Sequence, residues 1–570
     1  FLMHRSGLLV LTNHASVLCC GDTVKQIVAG VKKLVHSTLY VHVENTSFIP
    51  PQQQSTFVPS LATNPKALNS TNSFSSDIFP FISKFYEETS HQCEDLDVNI
   101  LLHNIGCRNQ GKKILQRCVC AYLYMIIINT QGPVQCIITD LVYSTTQSSD
   151  SEIIRNFIKN RYILQGQDSN EATVPVFCLE HIGVASEFPK SPSITVTGKN
   201  DVVIGGTFDK IHPGHKVLLS EATLLANNRL LIGVTNGKML ERKTLHELIR
   251  PCEKRINDIQ KFLTDVHDFH IKDESIITDP IGPAATDPHL QCIVVSKETE
   301  RGGAVVNDAR AKNQLNQLEV HVIGLLIGDE SSSPTNEVKM SSSTLRYKSL
   351  GVIRRPPNIR TSSHPPGAYV IGLTGGIASG KSSIAKRLSN LGAVVIDCDK
   401  LGHQAYRPGT QTFEKLVTQF GEDIISKTSG EIDRKVLGGK VFGKDPTNRN
   451  LLNSIVWPEI ERLAREKIEE AVAMTSEKLV CVLDAAVLLE AGWDHFSDEV
   501  WVSIVTRDEA IKRVVERDGR TVDDAERRIQ SQISNEERVD RAHVVLSTLW
   551  EGSATQAQVE KAWIGLCQRL

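Results

Sequence analysis

The sequence predicts a multidomain α/β protein with more than one ligand-binding loop. Three observations lead to this prediction. The chain has 570 residues, enough for about three or four domains of ordinary size. A strand-like run, a glycine-rich loop and a helix-like run follow one another in residues 369–391. The same order occurs in residues 202–226, where the loop carries two histidines. Each arrangement places a loop at the carboxyl end of a strand, where open α/β sheets bind ligands.

The composition is that of an ordinary globular protein, with 40% hydrophobic and 23% charged residues. The 63 basic and 66 acidic residues give a net charge of −3, so there is no global electrostatic argument for nucleic-acid binding. The 13 cysteines show no paired spacing typical of a zinc site, and we expect reduced thiols in an intracellular protein. The longest apolar run, residues 118–128, is too short to span a membrane and is predicted to be a core strand or helix.

Residues 1–185 are predicted to form an N-terminal α/β extension with a regulatory or targeting role. Apolar runs at 7–11 and 39–43 flank a stretch with helical spacing, and residues 44–78 are rich in Ser, Thr, Asn, Gln and Pro, typical of a flexible insertion. Further strand-like or helix-like runs contain no catalytic constellation; they cover residues 99–102, 121–128, 136–141, 153–163 and 174–179. Residues 186–200 are a predicted linker.

Acidic residues are scarce near the beginning of the sequence, where Asp22 is the only one before Glu44. That scarcity is typical of mitochondrial addresses, whereas the lack of arginine in the predicted helix argues against a typical transit peptide. We therefore expect a cytoplasmic or mitochondrial location, in the matrix or at the outer membrane. Peripheral membrane association or signalling partners through residues 1–200 follow as hypotheses. Because the sequence begins with Phe1 rather than Met, we expect the natural chain to begin upstream.

Residues 201–355 are predicted to form a Rossmann-like domain. A strand at 202–204 leads into a loop, a helix follows at 215–226, and further strands are predicted at 230–234 and 292–296. The loop contains Gly206, Thr207, His212 and His215. A serine run, Ser341, Ser342 and Ser343, opens a helix that contains Arg346 near the end of the domain.

The loop resembles the HxGH signature of nucleotidyltransferases, and the serine run with Arg346 resembles their SSSxxR signature, so the resemblance implies the transfer of a nucleotidyl group. The acceptor's own phosphate attacks the α-phosphorus, so the protein has to position the reactants and stabilise negative charge. His212 and His215 can donate hydrogen bonds to the α-phosphate, and the hydroxyl of Thr207 can hold the attacking phosphate. The serine run can bind the β- and γ-phosphates at a helix N-terminus, and Arg346 adds a bidentate charge. Lys243 and Arg255 are further candidates for phosphate contacts, with a solvated surface charge as the alternative for each.

Residues 356–367 are a predicted linker, and residues 368–570 a P-loop kinase domain. Residues 375–382 read GGIASGKS and fit the phosphate-binding loop G-x-x-x-x-G-K-[ST]. Backbone N–H groups of this loop surround phosphate oxygens, the lysine neutralises the β- and γ-phosphates, and the last serine is placed to bind Mg²⁺. The predicted nucleotide-binding residues are Thr374, Gly375, Gly376, Ile377, Ala378, Ser379, Gly380, Lys381 and Ser382.

Carboxylates and arginines complete this predicted site. Asp399 follows the next strand, 394–396, and is the candidate to accept a proton from an attacking hydroxyl, with a helix N-cap as the alternative. Asp484 ends the strand 480–483 and is predicted to orient Mg²⁺ through water. Arg513, Arg517 and Arg520 lie on a charged helix and turn that we expect to close as a lid, with the strongest case for Arg517.

With these residues in view, residues 200–570 resemble the bifunctional coenzyme A synthases of animals. The two halves resemble phosphopantetheine adenylyltransferase and dephospho-coenzyme A kinase. The first half carries HxGH in the loop 206–215 and SSSxxR in residues 341–346. The second half carries GLTGGIASGKS, I-D-x-D, I-D-R, W-P-E-I and R-I-x-x-Q segments, at residues 372–382, 396–399, 432–434, 457–460 and 528–532. The sequence departs from the family at Trp457, Ala486 and Ser547-Thr548, where His, Pro and an adenine-holding Asn are usual.

The resemblance implies two ATP-dependent steps. Adenylyl transfer to 4′-phosphopantetheine gives dephospho-coenzyme A and pyrophosphate, and phosphorylation of its ribose 3′-hydroxyl then gives coenzyme A and ADP. ATP at both sites and Mg²⁺ are the expected cofactors, and the expected partners are small molecules. The residues alone indicate two ATP sites without identifying pantetheine. Another fusion of a nucleotidyltransferase with a small-molecule kinase, or a scaffold that retains one activity, stays open.

Overall fold

The computed structural model describes residues 4–11, 18, 22–43, 73–75, 78–93, 95–102, 126–128, 136–139, 162–164, 176–178, 195–266, 272–277, 279, 281–323, 341–358, 364, 366–441, 447–475 and 478–570. The chain divides into two compact units, Phe1–Leu345 and Arg346–Leu570. The α/β fold class predicted from the sequence is confirmed. In these described ranges, no helix is long and apolar enough to cross a membrane. Several predicted elements, including most of 44–78, 118–125 and 153–161, lie outside the described residues.

The first unit consists of alternating strands and helices. Its described strands are β1 (His4–Leu11), β2 (Val35–Val43), β3 (Ser73–Ser75), β4 (Asp97–Leu101), β5 (Ile126–Ile128), β6 (Cys136–Thr139), β7 (Tyr162–Leu164), β8 (Val176–Cys178), β9 (Thr195–Thr197), β10 (Lys199–Gly206), β11 (Ala226–Thr235), β12 (Lys272–Ile277), β13 (Cys292–Ser296) and β14 (Glu319–Ile323). Its helices are α1 (Thr23–Val31), α2 (Ile78–Gln92), α3 (Pro213–Leu225), α4 (Lys238–Glu241), α5 (Cys252–Val266), α6 (Glu300–Lys312) and α7 (Ser342–Lys348), whose last residues lie beyond the unit boundary.

The N-terminal part of this unit is a parallel sheet with the strand order β4-β2-β1-β6-β8. The strand–helix–strand order predicted for the first residues is confirmed by β1, α1 and β2. Helix α2 covers this part of the unit with an apolar face that includes Phe81, Phe85 and Tyr86, at the spacing typical of an amphipathic helix. Two short ladders, β3 with β9 and β5 with β7, complete the described pairings.

The second part of the unit is a parallel sheet with the order β12-β11-β10-β13-β14. Consecutive strands run from β10 to β12 on one side and continue with β13 and β14 on the other. The strand order therefore reverses between β10 and β13, and ligands bind outside the carboxyl ends of strands at such a point. The loop with the two histidines begins directly after β10, at this edge. Of the last residues of the predicted linker, 195–197 belong to β9 and 199–200 to β10.

The two parts of the first unit share one hydrophobic core. One continuous cluster of buried side chains contains Phe81 and Phe85 from α2, Val217 from α3 and Phe262 from α5. The backbone N–H of Leu102, just after β4, donates a hydrogen bond of 2.6 Å to the carbonyl of Val266 at the end of α5. The N-terminal extension is thus packed directly against the domain that follows it in sequence.

The second unit is built on one parallel sheet with the order β16-β17-β15-β18-β19. Its strands are β15 (Ala368–Gly375), β16 (Val394–Asp397), β17 (Leu479–Asp484), β18 (Glu499–Ile504) and β19 (Val544–Ser547). Its described helices are α8 (Lys381–Asn390), α9 (Cys398–Ala405), α10 (Gln411–Phe420), α11 (Arg434–Val441), α12 (Thr447–Ala473), α13 (Arg507–Asp518), α14 (Val522–Gln530), α15 (Asn535–Arg541) and α16 (Gly552–Cys567).

The central strand of this second sheet is β15, and all eight of its residues are buried. A parallel strand covered on both faces reads as a continuous apolar run, which is why the sequence predicted it. The loop GGIASG leaves its carboxyl end and leads directly into α8, so the predicted order of strand, loop and helix is confirmed. Asp484 ends the neighbouring strand β17 and lies in register with Leu373 of β15, at the same edge of the sheet.

Candidate active sites

The phosphate-binding loop of the second unit is tightly fitted to its surroundings. A Cβ atom added to Gly375 would lie 2.5 Å from Ser379 Oγ and 2.6 Å from the carbonyl oxygen of Ser503, so this position accepts only glycine. Gly380 has a φ of +83°, and Ala378 has a φ of +59° although it is not glycine. Left-handed backbone at a residue with a side chain is uncommon, and such strain concentrates at functional sites.

Side chains from other elements hold the shape of this loop. The hydroxyls of Ser503 and Thr548 donate hydrogen bonds of 2.7 and 2.8 Å to the carbonyl of Ser379. The backbone N–H of Ile377 donates to Gln532 Oε1 at 2.8 Å. These contacts engage the carbonyl of Ser379 and the N–H of Ile377. The other N–H groups of the loop therefore keep their orientation before a phosphate binds.

The loop forms one wall of a cleft of about 730 Å³. Eleven of the residues predicted for this site line the cleft: Gly375, Gly376, Ile377, Ala378, Ser379, Gly380, Lys381, Ser382, Asp399, Arg513 and Arg517. Ala486, Glu516 and Gln532 line it as well. Thr374 does not, since its side chain is buried and its hydroxyl donates to the carbonyl of Ala486 at 3.2 Å. Its predicted contact with the nucleotide is therefore replaced by a structural one.

Lys381 lies between two carboxylates. Its Nζ donates to Asp484 Oδ1 in a direct ion pair and lies 3.9 Å from Asp399 Oδ2. Burial raises the pKa of Asp484; the Lys381 charge opposes this, and the nearby Asp397 and Asp399 carboxylates reinforce it. The Asp399 side chain is 65% exposed, as a group that meets a substrate has to be. The N-cap of α9 is Asp397, which accepts from the Lys400 N–H at 3.0 Å, so the alternative role considered for Asp399 belongs to its neighbour.

The arginines predicted as a lid divide into two kinds. Arg513 is fixed: its guanidinium donates to the hydroxyl and the carbonyl of Thr548, both at 2.7 Å, and to the carbonyl of Ala378 at 3.2 Å. It braces the phosphate loop and is not placed to move as a lid. Arg517 is 61% exposed and pairs with the adjacent Asp518, and it lines the cleft. Arg520 pairs with Asp524 at 2.6 Å and does not line the cleft.

The histidine loop of the first unit is also strained. Phe208 and Lys210 have φ angles of +51° and +53°, again left-handed without being glycine. The turn brings the rings of His212 and His215 together, with their centroids 3.9 Å apart, and Phe208 packs on His215 at 5.2 Å. His212 is the N-cap residue of α3 and Pro213 is its first residue, a position that suits proline because no donor is needed there.

Burial lowers the pKa of His215 well below its ordinary value, and the neighbouring His212 and Lys243 lower it further, while a hydrogen bond with the Lys210 backbone opposes them. The imidazole of His215 is therefore neutral at physiological pH. A neutral imidazole donates one hydrogen bond without carrying a charge of its own into a buried site. Lys243 lies near enough to influence His215, although its own ligand contact stays a prediction.

The serine run meets the histidine loop, although more than a hundred residues separate them in sequence. Ser342 Oγ donates to the carbonyl of Asp209 at 3.0 Å and lies 3.4 Å from His212 Nε2. Ser341 Oγ lies 3.1 Å from Thr344 Oγ1 and accepts from the N–H of Thr344. Ser343 and the buried Arg346 follow in the same helix, α7. The two signatures predicted as one site are thus in direct contact.

Thr207 lies at the end of β10, and its Oγ1 is 3.0 Å from Thr235 Oγ1 at the end of β11. Arg255 is fully buried and binds backbone instead of phosphate. Its guanidinium donates to the carbonyls of Thr207, Thr235 and Arg250 at 2.6, 3.0 and 2.8 Å. The predicted phosphate contact of Arg255 is therefore wrong, and the side chain instead fixes the carboxyl ends of two strands. Gly206 precedes Thr207 at this edge of the sheet.

Some site residues carried no signal in the sequence. Gln532 and Thr548 shape the phosphate loop from more than 150 residues away, and only the resemblance pointed to the R-I-x-x-Q segment that contains Gln532. Thr235 contacts Thr207 through the two hydroxyls, and the Asp209 carboxylate accepts from the backbone N–H of Arg250; no sequence motif records either contact. Arg255 was selected from the sequence, but for a phosphate contact and not for its hydrogen bonds to backbone carbonyls. A polar side chain at the end of a predicted strand is the one general signal that would have selected Thr235.

Taken together, the second unit has the fold and site of a phosphate-loop phosphotransferase, and the first contains a nucleotidyltransferase-type site. Comparison with known families agrees. Residues 369–550 match the family model described as dephospho-CoA kinase, residues 203–353 the one described as cytidylyltransferase-like, and residues 5–165 the one described as the COASY N-terminal domain.

Curated relatives are similar over the last third of the chain. The dephospho-CoA kinase of Geobacter sulfurreducens is 41% identical over 194 residues, which are 34% of this chain and 96% of that protein. The dephospho-CoA kinase of Symbiobacterium thermophilum is 38% identical over 198 residues, 35% of this chain and 81% of its own length. A solved dephospho-CoA kinase from Campylobacter jejuni, 22% identical, covers 36% of this chain and 98% of its own, with a TM-score of 0.28.

The chain therefore belongs to the dephospho-CoA kinase family, and the three matched domains together indicate a bifunctional coenzyme A synthase. It is an enzyme with kinase and nucleotidyltransferase activities, and both families use ATP.

Proposed function

We propose that the protein catalyses the last two steps of coenzyme A synthesis. It transfers the adenylyl group of ATP to 4′-phosphopantetheine, which gives dephospho-coenzyme A and pyrophosphate. It then phosphorylates the ribose 3′-hydroxyl with a second ATP, which gives coenzyme A and ADP. The observation that carries the proposal is the pair of phosphate-directed loops in one chain, one with two stacked histidines and one with a lysine between two carboxylates.

In the first step, a phosphate oxygen of the acceptor attacks the α-phosphorus and pyrophosphate leaves. The attacking group is already an anion, so no protein base is needed. Thr207, held by Thr235, binds the attacking phosphate, and His212 donates a hydrogen bond to an α-phosphate oxygen. The neutral His215 turns its single N–H from the Lys210 backbone to an α-phosphate oxygen. The serine run at the start of α7 binds the leaving pyrophosphate, and the positioned donors stabilise charge that grows in the transition state.

In the second step, the 3′-hydroxyl attacks the γ-phosphorus and ADP leaves. Here a proton has to be removed, and Asp399 accepts it because its exposed carboxylate faces the cleft beside Lys381. Lys381 leaves Asp484 to neutralise the β- and γ-phosphates, and Arg517 closes over the transferred group. The fixed Arg513 keeps the loop in shape throughout.

The residues present fit a magnesium ion. Once Lys381 turns to the phosphates, the buried carboxylate of Asp484 lacks its cationic partner, and a hydrated Mg²⁺ suits such an oxygen donor. The hydroxyl of Ser382 at the start of α8 would hold the ion directly, and Asp484 would hold it through water. Held there, the ion would supply positive charge that neutralises the negative charge on the transferring phosphates.

Product analysis tests the proposal. The purified protein is incubated with Mg²⁺ and 4′-phosphopantetheine and with ATP or CTP as the nucleotide, and the products are identified by mass spectrometry. CTP is included because the matched nucleotidyltransferase family is described as cytidylyltransferase-like. We expect coenzyme A, pyrophosphate and ADP with ATP and no coupled product with CTP.

Other outcomes would change the proposal in defined ways. Accumulated dephospho-coenzyme A would refute the second step, whereas phosphorylation of added dephospho-coenzyme A without pyrophosphate release would refute the first. Turnover with another phosphate acceptor in place of 4′-phosphopantetheine would retain both reaction types and replace the substrate. The location of the protein and its partners through residues 1–200 stay predictions.

A further inference from the structure

A buried lysine follows the second catalytic histidine directly. Lys216 is 6% exposed and lies in the first turn of α3, next to His215. Its Nζ donates three hydrogen bonds, to Asp97 Oδ1 at 2.5 Å, to the carbonyl of Val98 at 2.5 Å and to Asn99 Oδ1 at 2.9 Å. All three acceptors belong to β4, the edge strand of the N-terminal sheet. These three hydrogen bonds of a side chain on the histidine-bearing helix thus all go to the N-terminal extension.

The Lys216 ammonium lies in an environment that combines burial with nearby carboxylates. Burial lowers the pKa of Lys216, and the carboxylates of Asp97 and Asp265 oppose that shift. Asn99 links the two sides, since its Nδ2 lies 3.5 Å from Asp265 Oδ2 while its Oδ1 accepts from Lys216. The ring of Phe262 lies 5.6 Å from Nζ and adds a favourable cation–π contact. A buried charge with several partners strongly resists displacement because movement would leave it unpaired.

Further contacts hold the rest of α3 on the same extension. The hydroxyl of Tyr86 in α2 accepts from the N–H of Ile100 at 3.2 Å, and Ser220 of α3 lies near the same hydroxyl. Glu221 of α3 lies 2.9 Å from His321 Nε2, and Phe79 of α2 packs on the same histidine ring at 5.1 Å. Helix α3 is therefore held between its own sheet and α2.

The beginning of α3 is less well packed than its middle. A cavity of about 250 Å³ lies against its first turn, lined there by His212, Pro213 and Lys216 and on the opposite side by Cys93 and other residues of the extension. A void provides no contacts to resist movement. The polar contacts of Lys216 consequently restrain this side of the turn that carries both histidines.

We propose that the N-terminal extension is a working part of the nucleotidyl-transfer site and that Lys216 is the positioning residue through which it acts. Asp97, Val98 and Asn99 hold Lys216, and Lys216 holds the first turn of α3, so the two imidazoles keep the spacing that the α-phosphate needs. The inference rests on the nucleotidyl-transfer site proposed above. A displacement of about 1 Å at a reacting group can cost a factor of about 100 in rate.

The test compares Lys216→Met with Lys199→Met in the full-length protein. Methionine keeps the length of the side chain and removes its charge. Lys199 forms a 2.6 Å ion pair with Glu319 in the same unit, away from the histidines, and serves as the matched control. For pyrophosphate release we expect kcat to fall by about 10- to 100-fold in Lys216→Met with KM for ATP within about threefold, and no change in Lys199→Met. Phosphorylation of added dephospho-coenzyme A should be unchanged in both.

If Lys216→Met does not fold, a variant in β4, which provides the acceptors of Lys216, tests the inference. Asn99→Ala removes one acceptor while the lysine keeps two, and we expect the same kcat defect in smaller measure. The kcat of the double variant, with both Lys216→Met and Asn99→Ala, should equal that of Lys216→Met alone. Both changes break the same contact between α3 and β4. Equal kcat in Lys216→Met and Lys199→Met would overturn the inference, as would strictly additive losses.

A loss confined to KM would also overturn it, since that is the effect of altered binding and not of altered histidine spacing. His215→Ala separates this inference from the proposed function. If His215→Ala retains pyrophosphate release, the site itself is misassigned. If His215→Ala is inactive and Lys216→Met behaves as the control does, only the role of the extension fails.

Discussion

The histidine loop after β10 and the phosphate loop after β15 occupy equivalent positions in their sheets but present side chains of different charge. Both leave the central strand of a parallel sheet, and both contain left-handed residues that are not glycine, Phe208 and Lys210 in one and Ala378 in the other. The first presents imidazoles, and burial lowers the pKa of His215 so that its ring is neutral. The second presents Lys381 in an ion pair with Asp484.

The difference follows the nucleophile each loop has to serve. An acceptor that is itself a phosphate brings negative charge and no proton to remove, so positioned neutral donors suffice. A ribose hydroxyl is neutral and has to lose a proton, so a carboxylate is needed beside a cation that compensates for it. Four predictions use this contrast, and the largest effect is expected at the lysine.

Lys381→Ala should lower kcat/KM for phosphorylation of dephospho-coenzyme A by about 1000-fold or more, because it removes the charge that stabilises the transferring phosphate. The measurement is ADP release with added dephospho-coenzyme A. Lys386→Ala changes an exposed position on the same helix and is the matched control, for which ADP release should stay at the wild-type level. Pyrophosphate release should be unaffected, and a matching loss there would show that the two loops do not act separately.

His215→Ala should lower kcat for pyrophosphate release by about 100- to 1000-fold, the usual cost of losing one positioned donor at a growing negative charge. ADP release with added dephospho-coenzyme A should stay at the wild-type level. His289→Ala removes an exposed histidine of the same unit and controls for loss of imidazole as such. If the effect of His215→Ala appears only in KM for ATP, the ring binds the ground state and the contrast between the loops becomes weaker.

Asp399→Asn should lower kcat of the kinase step by about 100-fold while KM for ATP changes little, because the amide cannot accept the hydroxyl proton. A carboxylate in a first helical turn also interacts favourably with the helix dipole. Asp508→Asn, an exposed first-turn position in α13, measures that second effect alone. Equal rates for the two variants would remove the base role from Asp399.

The smallest effect is expected in the dependence of stability on pH. Because burial lowers the pKa of His215 below its ordinary value of 6.5, the unfolded chain takes up this proton first as the pH falls. Stability that the neutral ring contributes above 6.5 is thus lost progressively below that pH. Melting temperatures of wild type and His215→Gln between about pH 7.5 and pH 5.5 measure this loss. The difference between the two proteins at each pH removes the contribution of all other titrating groups. The melting temperature of the wild-type protein should fall more than that of His215→Gln as the pH is lowered. Equal decreases in the two proteins would contradict a neutral buried ring.

The sequence predicted what is local and missed what is assembled from distant segments. The phosphate loop is contiguous, so eight consecutive residues specify its strand end, turn and helix start. Asp399 was placed because strand ends in a parallel sheet meet at one edge. Thr374 and Arg255 were assigned to ligands because sequence does not record burial, and both side chains instead bind backbone carbonyls.

The N-terminal sheet was the hardest part to predict. Its order β4-β2-β1-β6-β8 places the first strand in the centre, the next two on one side and the last two on the other, as β12-β11-β10-β13-β14 does in the following sheet. The sequence showed no repeat, because buried strands are generic apolar runs and the loop after β1 lacks the histidine signature. Lys216 was missed for a related reason, since its acceptors lie 117 to 119 residues away.

The shared core of the first unit has a consequence for how the protein opens. Because buried side chains of α2, α3 and α5 form one cluster, neither sheet of this unit can lose its structure while the other keeps its full packing. Amide hydrogens in β1 and β10 should therefore exchange with solvent through a common opening, with similar protection. A fragment that begins at β10 would present the apolar face of α3 and the charge of Lys216 without their partners, and it should aggregate instead of folding as an independent enzyme.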